Sequence, residues 1–385
     1  MQSALSQLSI GAGMDTPRIL LLGCGGIGGV LAAALVERGE NLTVVTHNPA
    51  IADAINTGGL TVKDEQRQRT VPARATAQLP TGAGPFDFVF LATQPPQVEA
   101  AARAAAAVLA ADGAAVCFQN GLCEQRVAAI VGAERTIGAI VAWGGSMLAP
   151  AVYERTSAGG FAIGQLQGTA TARVAQLQRI LSAIGAAEVT HNLRGARWSK
   201  LAINCAISSL GTIGGDRLGA LLKYRFVRRL GLEVMTEAVA VARARGVRLE
   251  KVSGTIDLDW VALTDHERLI AGSPTLMAKH ALLLAVGAKF RRLRSSMLAA
   301  IERGRAPAVD FLNGEIVWRG HECGVPTPLN GRILDTIRAI ARRELTPGME
   351  ALRRFYEDSR EHAAVPPPPP LPRRAHTADE HDAAR

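Results

Sequence analysis

Lys200 and Asn204 stand four residues apart in Trp198-Ser199-Lys200-Leu201-Ala202-Ile203-Asn204. On a helix that spacing places an ammonium and an amide on one face, and Ser208 extends the face by a further turn. Leu201, Ile203, Ala206 and Ile207 around them are apolar. A lysine in such surroundings either snorkels to water or is held for a purpose. A lysine held in that way is a candidate catalytic group. The second chemical feature is Gly23-Cys24-Gly25-Gly26-Ile27-Gly28. It follows the apolar run 18–22 and opens an alanine-rich stretch. In a strand–turn–helix setting, Gly23 takes the tight turn and Gly25 admits a pyrophosphate. Gly28 then lets helix and strand pack closely. The free N–H groups of the helix start complete a phosphate site.

Elements of matching type surround both features. Strands are expected at 18–22, 42–46, 86–92, 114–119 and 137–143, with helices at 28–38 and 98–110. Two more strands, 157–163 and 187–190, flank a helix at 171–183. Alternation of this kind predicts a doubly wound parallel sheet. From Arg194 onward the periodicity is helical only, with helices at 197–209, 218–245 (breaking near Tyr224), 275–292, 310–322 and 330–343. Pro326 and Pro328 separate the last two. The fold class is therefore α/β, a Rossmann-type domain followed by an all-α domain. Residues 1–17 read as an extension, 18–193 as the dinucleotide-binding domain and 194–350 as the helical substrate and dimerisation domain. Residues 351–385 read as a disordered tail, with six prolines between Pro366 and Pro372.

After the second strand, an NAD-type site carries an acid about 20 positions beyond the glycine loop, bound to the ribose. Here the strand ends in Thr46-His47-Asn48, without Asp or Glu. That favours NADP(H), with His47 near the ribose. The net charge of +9 suits anionic ligands. Aromatics make up 4% and no basic block is interleaved with them, which argues against nucleic acid. No apolar run is long enough to span a membrane. The five cysteines form no CxxC pair, so a cytoplasmic protein with reduced thiols and no metal site is expected.

Taken together, the GCGGIG loop, Gln119-Asn120-Gly121, Lys200-Leu-x-x-Asn-Cys205, Arg294-Ser-Ser-Met-Leu298, Asp310-Phe-Leu-Asn-Gly314 and Pro326-Thr-Pro328 resemble the ketopantoate reductase family over residues 18–345. That family holds NADPH enzymes of pantothenate synthesis. The resemblance implies a substrate cleft between the two domains. It implies Lys200 as general acid and Asn120 between nicotinamide and substrate. Asn204, Ser208 and Ser296 become substrate contacts. Three positions depart from the family pattern. Gln94 stands where a cofactor-binding lysine is usual, Ser208 where a second asparagine is usual, and Ala308 where a glutamate meets the substrate hydroxyl. The expected partner is thus a small 2-oxo acid, either 2-dehydropantoate or a related ketone. An opine or amino-acid dehydrogenase on the same architecture is an alternative, although His191, His266, His280 and His321 show no catalytic partner. A non-catalytic NADP-binding homologue is the third reading.

Overall fold

The computed structural model describes residues 16–168, 171–251, 256–269 and 272–361. An eight-stranded sheet carries the first domain, in the order β12-β11-β8-β7-β6-β1-β2-β5. Its strands are β1 (Ile19–Leu22), β2 (Leu42–Val45), β5 (Ala75–Thr76), β6 (Phe86–Leu91), β7 (Leu109–Cys117), β8 (Thr136–Val141), β11 (Phe161–Gln165) and β12 (Ala187–Val189). All neighbours are parallel except β8 and β11. Buried on both faces, the central strands are near-continuous runs of Leu, Phe, Val and Ile. A smaller sheet, β4-β3-β10-β9, is built from β3 (Leu60–Lys63), β4 (Gln68–Val71), β9 (Gly145–Ala149) and β10 (Val152–Arg155).

Helices α1 (Gly26–Glu37), α2 (Pro49–Gly58), α3 (Val98–Ala106), α4 (Cys123–Val131) and α5 (Ala172–Ser182) belong to this domain. The second domain is helical: α6 (Leu193–Gly214), α7 (Leu218–Leu221), α8 (Arg225–Ala244), α9 (Leu258–Val261), α10 (Asp265–Leu269), α11 (Pro274–Lys289), α12 (Ser296–Glu302), α13 (Asn313–Cys323), α14 (Pro328–Ala341) and α15 (Met349–Glu361). α6 and α8 form its spine, and their apolar faces meet in one continuous core.

Several boundaries differ from expectation. The stretch 98–110 is not one helix, because β7 already begins at Leu109. α6 is longer at both ends than 197–209: Asn192 caps its start and Gly215, left-handed, stops it. The run 218–245 does break at Tyr224. The stretch 310–322 splits into a 3-10 turn at Ala308–Phe311 and then α13. A tail beginning at residue 351 is incorrect as far as Glu361. α15 buries Leu352 and Phe355 in the helical core, a pattern that its charged exposed face hid. Residues 1–15 and the prolines 366–372 lie outside the described residues.

Candidate active site

Strand order reverses between β1 and β6, so a crevice opens at their carboxyl ends. The glycine loop leaves β1 there. Gly23 has φ +99°, and a side chain on it would strike the backbone of Ala92 and Thr93. At Gly28 a Cβ would lie 2.0 Å from the Gly23 carbonyl oxygen, which fixes the close contact of turn and helix. Gly25 differs. A Cβ there would meet nothing within 4 Å, so its lack of a side chain serves no internal packing. That open space lies at the start of α1, whose first turn carries no acid, and a dinucleotide pyrophosphate fits it.

Three further loops emerge on the same edge. After β6, the Gln119 amide donates to Thr93 Oγ1 at 3.2 Å, joining this loop to the one after β7. Gln94 is exposed and caps the 3-10 turn Pro95–Gln97 together with Gln97. After β7, Asn120 is half-buried. Gly121, at φ +93°, lies so close to the Phe311 carbonyl that a Cβ would stand 2.6 Å from it. This contact brings the segment containing Ala308 to the Asn120 loop. After β2, His47 is exposed, and Asn48 is spent on capping α2.

α6 meets this edge from the other domain. Lys200 Nζ donates to the carbonyl of Val141, the last residue of β8. One turn earlier, buried Arg197 donates to the carbonyls of Gln119 (2.9 Å) and Cys117 (2.8 Å) and pairs with buried Glu124 of α4. Burial pushes the Lys200 ammonium down to about 7, and the Arg197 charge adds to the shift while Glu124 opposes it. Burial likewise raises Glu124, against the pull of Arg197. Sequence reasoning assigned no role to Arg197 or Glu124. The available signal was the three-residue spacing from Arg197 to Lys200 on the same helical face.

Lys200, Asn204 and Ser208, with Ile203 and Ile207 beside them, are half-buried, while Leu201, Ala202, Cys205, Ala206, Ser209 and Leu210 are buried. The open strip is thus about 12 Å long, at 1.5 Å per residue. Its sheet end is closed by the Val141 contact. At the far end, Ser295 caps α12 and its hydroxyl donates to the Ser208 carbonyl at 2.7 Å. Ser296, exposed, opens α12 next to it. The nearby acids are engaged elsewhere: Asp310 pairs with Arg338, and Glu302 with Arg294. Asn313 of the Asp-Phe-Leu-Asn-Gly motif is wholly buried and structural. It accepts from Ser209 and donates to the Cys205 carbonyl and to Asn330.

A glycine-loop sheet docked to a helical domain, with a half-buried lysine at the crevice, defines a two-domain nicotinamide-type oxidoreductase. Comparison with known proteins makes the class specific. The family model for ketopantoate reductase PanE/ApbA matches residues 19–168, and its C-terminal counterpart matches residues 192–341. The chain belongs to the ketopantoate reductase family, whose enzymes are oxidoreductases acting on a CH–OH group. A 2-dehydropantoate 2-reductase of Pyrococcus horikoshii is 26% identical, covering 84% of this chain and 97% of that one. One from Mesorhizobium japonicum is also 26% identical, over 84% and 98%. The crystal structure of a PanE/ApbA family ketopantoate reductase from Ralstonia eutropha superposes with a TM-score of 0.70 at 25% identity, covering 85% and 99%. D-mandelate dehydrogenase with NADH and anilino(oxo)acetate shares the fold, with a TM-score of 0.72 at 18% identity over 85% and 98%.

Proposed function

We propose that this protein reduces the ketone of a small 2-oxo acid to the 2-hydroxy acid, with NADPH as cofactor and Lys200 as proton donor. The single observation that carries the reading is Lys200. It sits at the carboxyl edge of the sheet beside the dinucleotide crevice, and its proton affinity is lowered to about 7. The Gly23–Gly28 loop, including Cys24, Gly26 and Ile27, would hold the pyrophosphate, with His47, Gln94 and Asn120 along the rest of the cofactor. Bound NADPH supplies the hydride that reaches the ketone carbon. The Lys200 ammonium stabilises negative charge at the carbonyl oxygen and transfers its proton there. Arg197, held by two carbonyls and Glu124, keeps the helix registered on the sheet and favours release of the Lys200 proton. Asn204, Ser208 and Ser296 contribute hydrogen bonds for the carboxylate end.

Ala308 bears on which 2-oxo acid is used. An acceptor for a substrate hydroxyl is missing there, and Asp310 and Glu302 are already paired with arginines. A site without that partner does not select strongly for the hydroxyl. We therefore expect 2-oxo acids lacking it to be reduced better than 2-dehydropantoate. Ala308→Glu should shift the kcat/KM ratio toward 2-dehydropantoate. Steady-state rates on both substrates, for wild type and variant, decide this. Wild-type turnover of 2-dehydropantoate at about 10⁴ M⁻¹s⁻¹ or above would refute the altered specificity while leaving the reductase reading intact.

A further inference from the structure

The small sheet packs against the glycine loop, and one of its side chains reaches the loop backbone. Tyr153 of β10 is in register with Val62 of β3 and Met147 of β9, and it is wholly buried. Its hydroxyl donates to the carbonyl of Cys24 at 3.1 Å. That uses its only hydrogen, so the Cys24 thiol, 3.2 Å away, donates to the phenolic oxygen. Burial pushes the thiol up to about 11 and raises the phenol as well, so both keep their protons at neutral pH. A slot in α1 admits the ring. Gly29 lies inside that helix without a positive φ, yet a Cβ on it would overlap the Tyr153 ring. The dinucleotide pattern asks for no glycine at this position. The ring does. One strand over, the backbone of Gly145 in β9 presses on Gly26, the first residue of α1.

From this geometry we propose that Tyr153 is a positioning residue for the cofactor: it sets the direction of the Gly25 N–H and with it the anion contact of the glycine loop. A trans peptide is planar, and its C=O and N–H point opposite ways. The peptide between Cys24 and Gly25 is trans. With the Cys24 carbonyl held on the Tyr153 hydroxyl, the Gly25 N–H points away from Tyr153. It has no acceptor among the described residues. It stands just ahead of the first turn of α1, whose N–H groups lack intrahelical partners. Over Gly25 lies the space in which a Cβ would meet nothing within 4 Å. Glycine leaves this peptide free to rotate, so a second group must hold it, and Tyr153 is that group. The inference rests on the proposed NADPH site at this loop and adds the side chain that preorganises it.

Tyr153→Phe keeps the ring in the Gly29 slot and removes only the hydroxyl. It should weaken NADPH binding about three- to tenfold, the range of one net hydrogen bond. The kcat at saturating NADPH should stay at the wild-type value, the pattern of lost uniform binding. 2′-Phospho-ADP-ribose keeps the diphosphate and lacks the nicotinamide, so its affinity should fall by the same factor. Val62→Ala opens a cavity in the strand paired with Tyr153 and controls for loosened packing. Its melting temperature should fall and its NADPH affinity should not. Fluorescence titration with NADPH, displacement by 2′-phospho-ADP-ribose and thermal melts on the full chain read all of these. Unchanged NADPH affinity in Tyr153→Phe overturns the inference. So does an equal loss in Val62→Ala, or a loss for NADPH that 2′-phospho-ADP-ribose does not share. A wild type that binds no NADPH overturns the cofactor reading along with it, and that outcome is distinct from the other three.

Discussion

At the scale of single residues, Lys200 concentrates the chemistry and also carries a cost. An ammonium partly withdrawn from water loses hydration, so its proton affinity falls from the ordinary lysine range to about 7. Reduction needs the protonated form. The kcat/KM for 2-oxo acid reduction should therefore fall as pH rises through about 7, approaching tenfold per pH unit well above it. A profile flat to pH 9 would contradict Lys200 as the donor. Lys200→Ala should lower kcat at least about 10²-fold with the fold intact. The same shift sets a stability trend. In the folded chain the proton leaves near 7, whereas the unfolded lysine keeps it to about 10.4. Between those values the unfolded state binds more protons, so stability rises with pH across that window. Lys200→Met should remove the rise and melt higher than wild type at pH 7. A lower melting temperature would mean that the ammonium is a net stabilising contact.

At the scale of elements, the glycine loop separates folding from binding. Gly25 has no internal neighbour that a methyl group would touch, and its φ of −80° suits alanine. Gly25→Ala should keep the wild-type melting temperature and weaken NADPH binding at least about tenfold, from steric exclusion alone. Fluorescence titration beside a thermal melt reads both. Equal affinity would place the pyrophosphate elsewhere. Asn313 is the opposite case, a motif residue that packs the domain. Asn313→Ala leaves Ser209 and Asn330 with lost partners and should cost about 2–6 kcal/mol, at 1–3 kcal/mol per buried unsatisfied group. The loop was legible in the sequence because three glycines, a preceding strand and a following helix all agreed. β3, β4, β9 and β10 were not legible. They are short, half-exposed strands whose pairing is non-local, such as β3 with β10, and no local pattern encodes that partner. α2 and α4 also went unread, although Asn48-Pro49 is a legible helix start. Lys200 and Asn204 were found from their spacing and the resemblance. The closure of their strip at both ends, by Val141 and Ser295, required the fold.

At the scale of the whole molecule, the two domains meet through buried charge. Arg197 and Glu124 are both nearly solvent-free, and Arg126 of α4 pairs with Glu315 of α13 at 3.3 Å. Removing one partner of a buried pair leaves an uncompensated charge, so Arg197→Ala should cost about 3–5 kcal/mol and lower kcat as well, since Lys200 follows one turn later. Denaturant unfolding beside steady-state kinetics checks both effects, and an unchanged midpoint would deny the anchor. None of the described helices is long and apolar enough to cross a membrane. The α/β and all-α halves were foreseen from the change of periodicity near Arg194. The most direct test of the central claim is NADPH oxidation, followed at 340 nm, over a panel of 2-oxo acids that includes 2-dehydropantoate, with wild type and Lys200→Ala side by side. We expect wild-type turnover on at least one 2-oxo acid, faster with NADPH than with NADH, and its loss in the variant. NADPH binding without turnover of any member, or equal rates in the two proteins, would contradict the assignment.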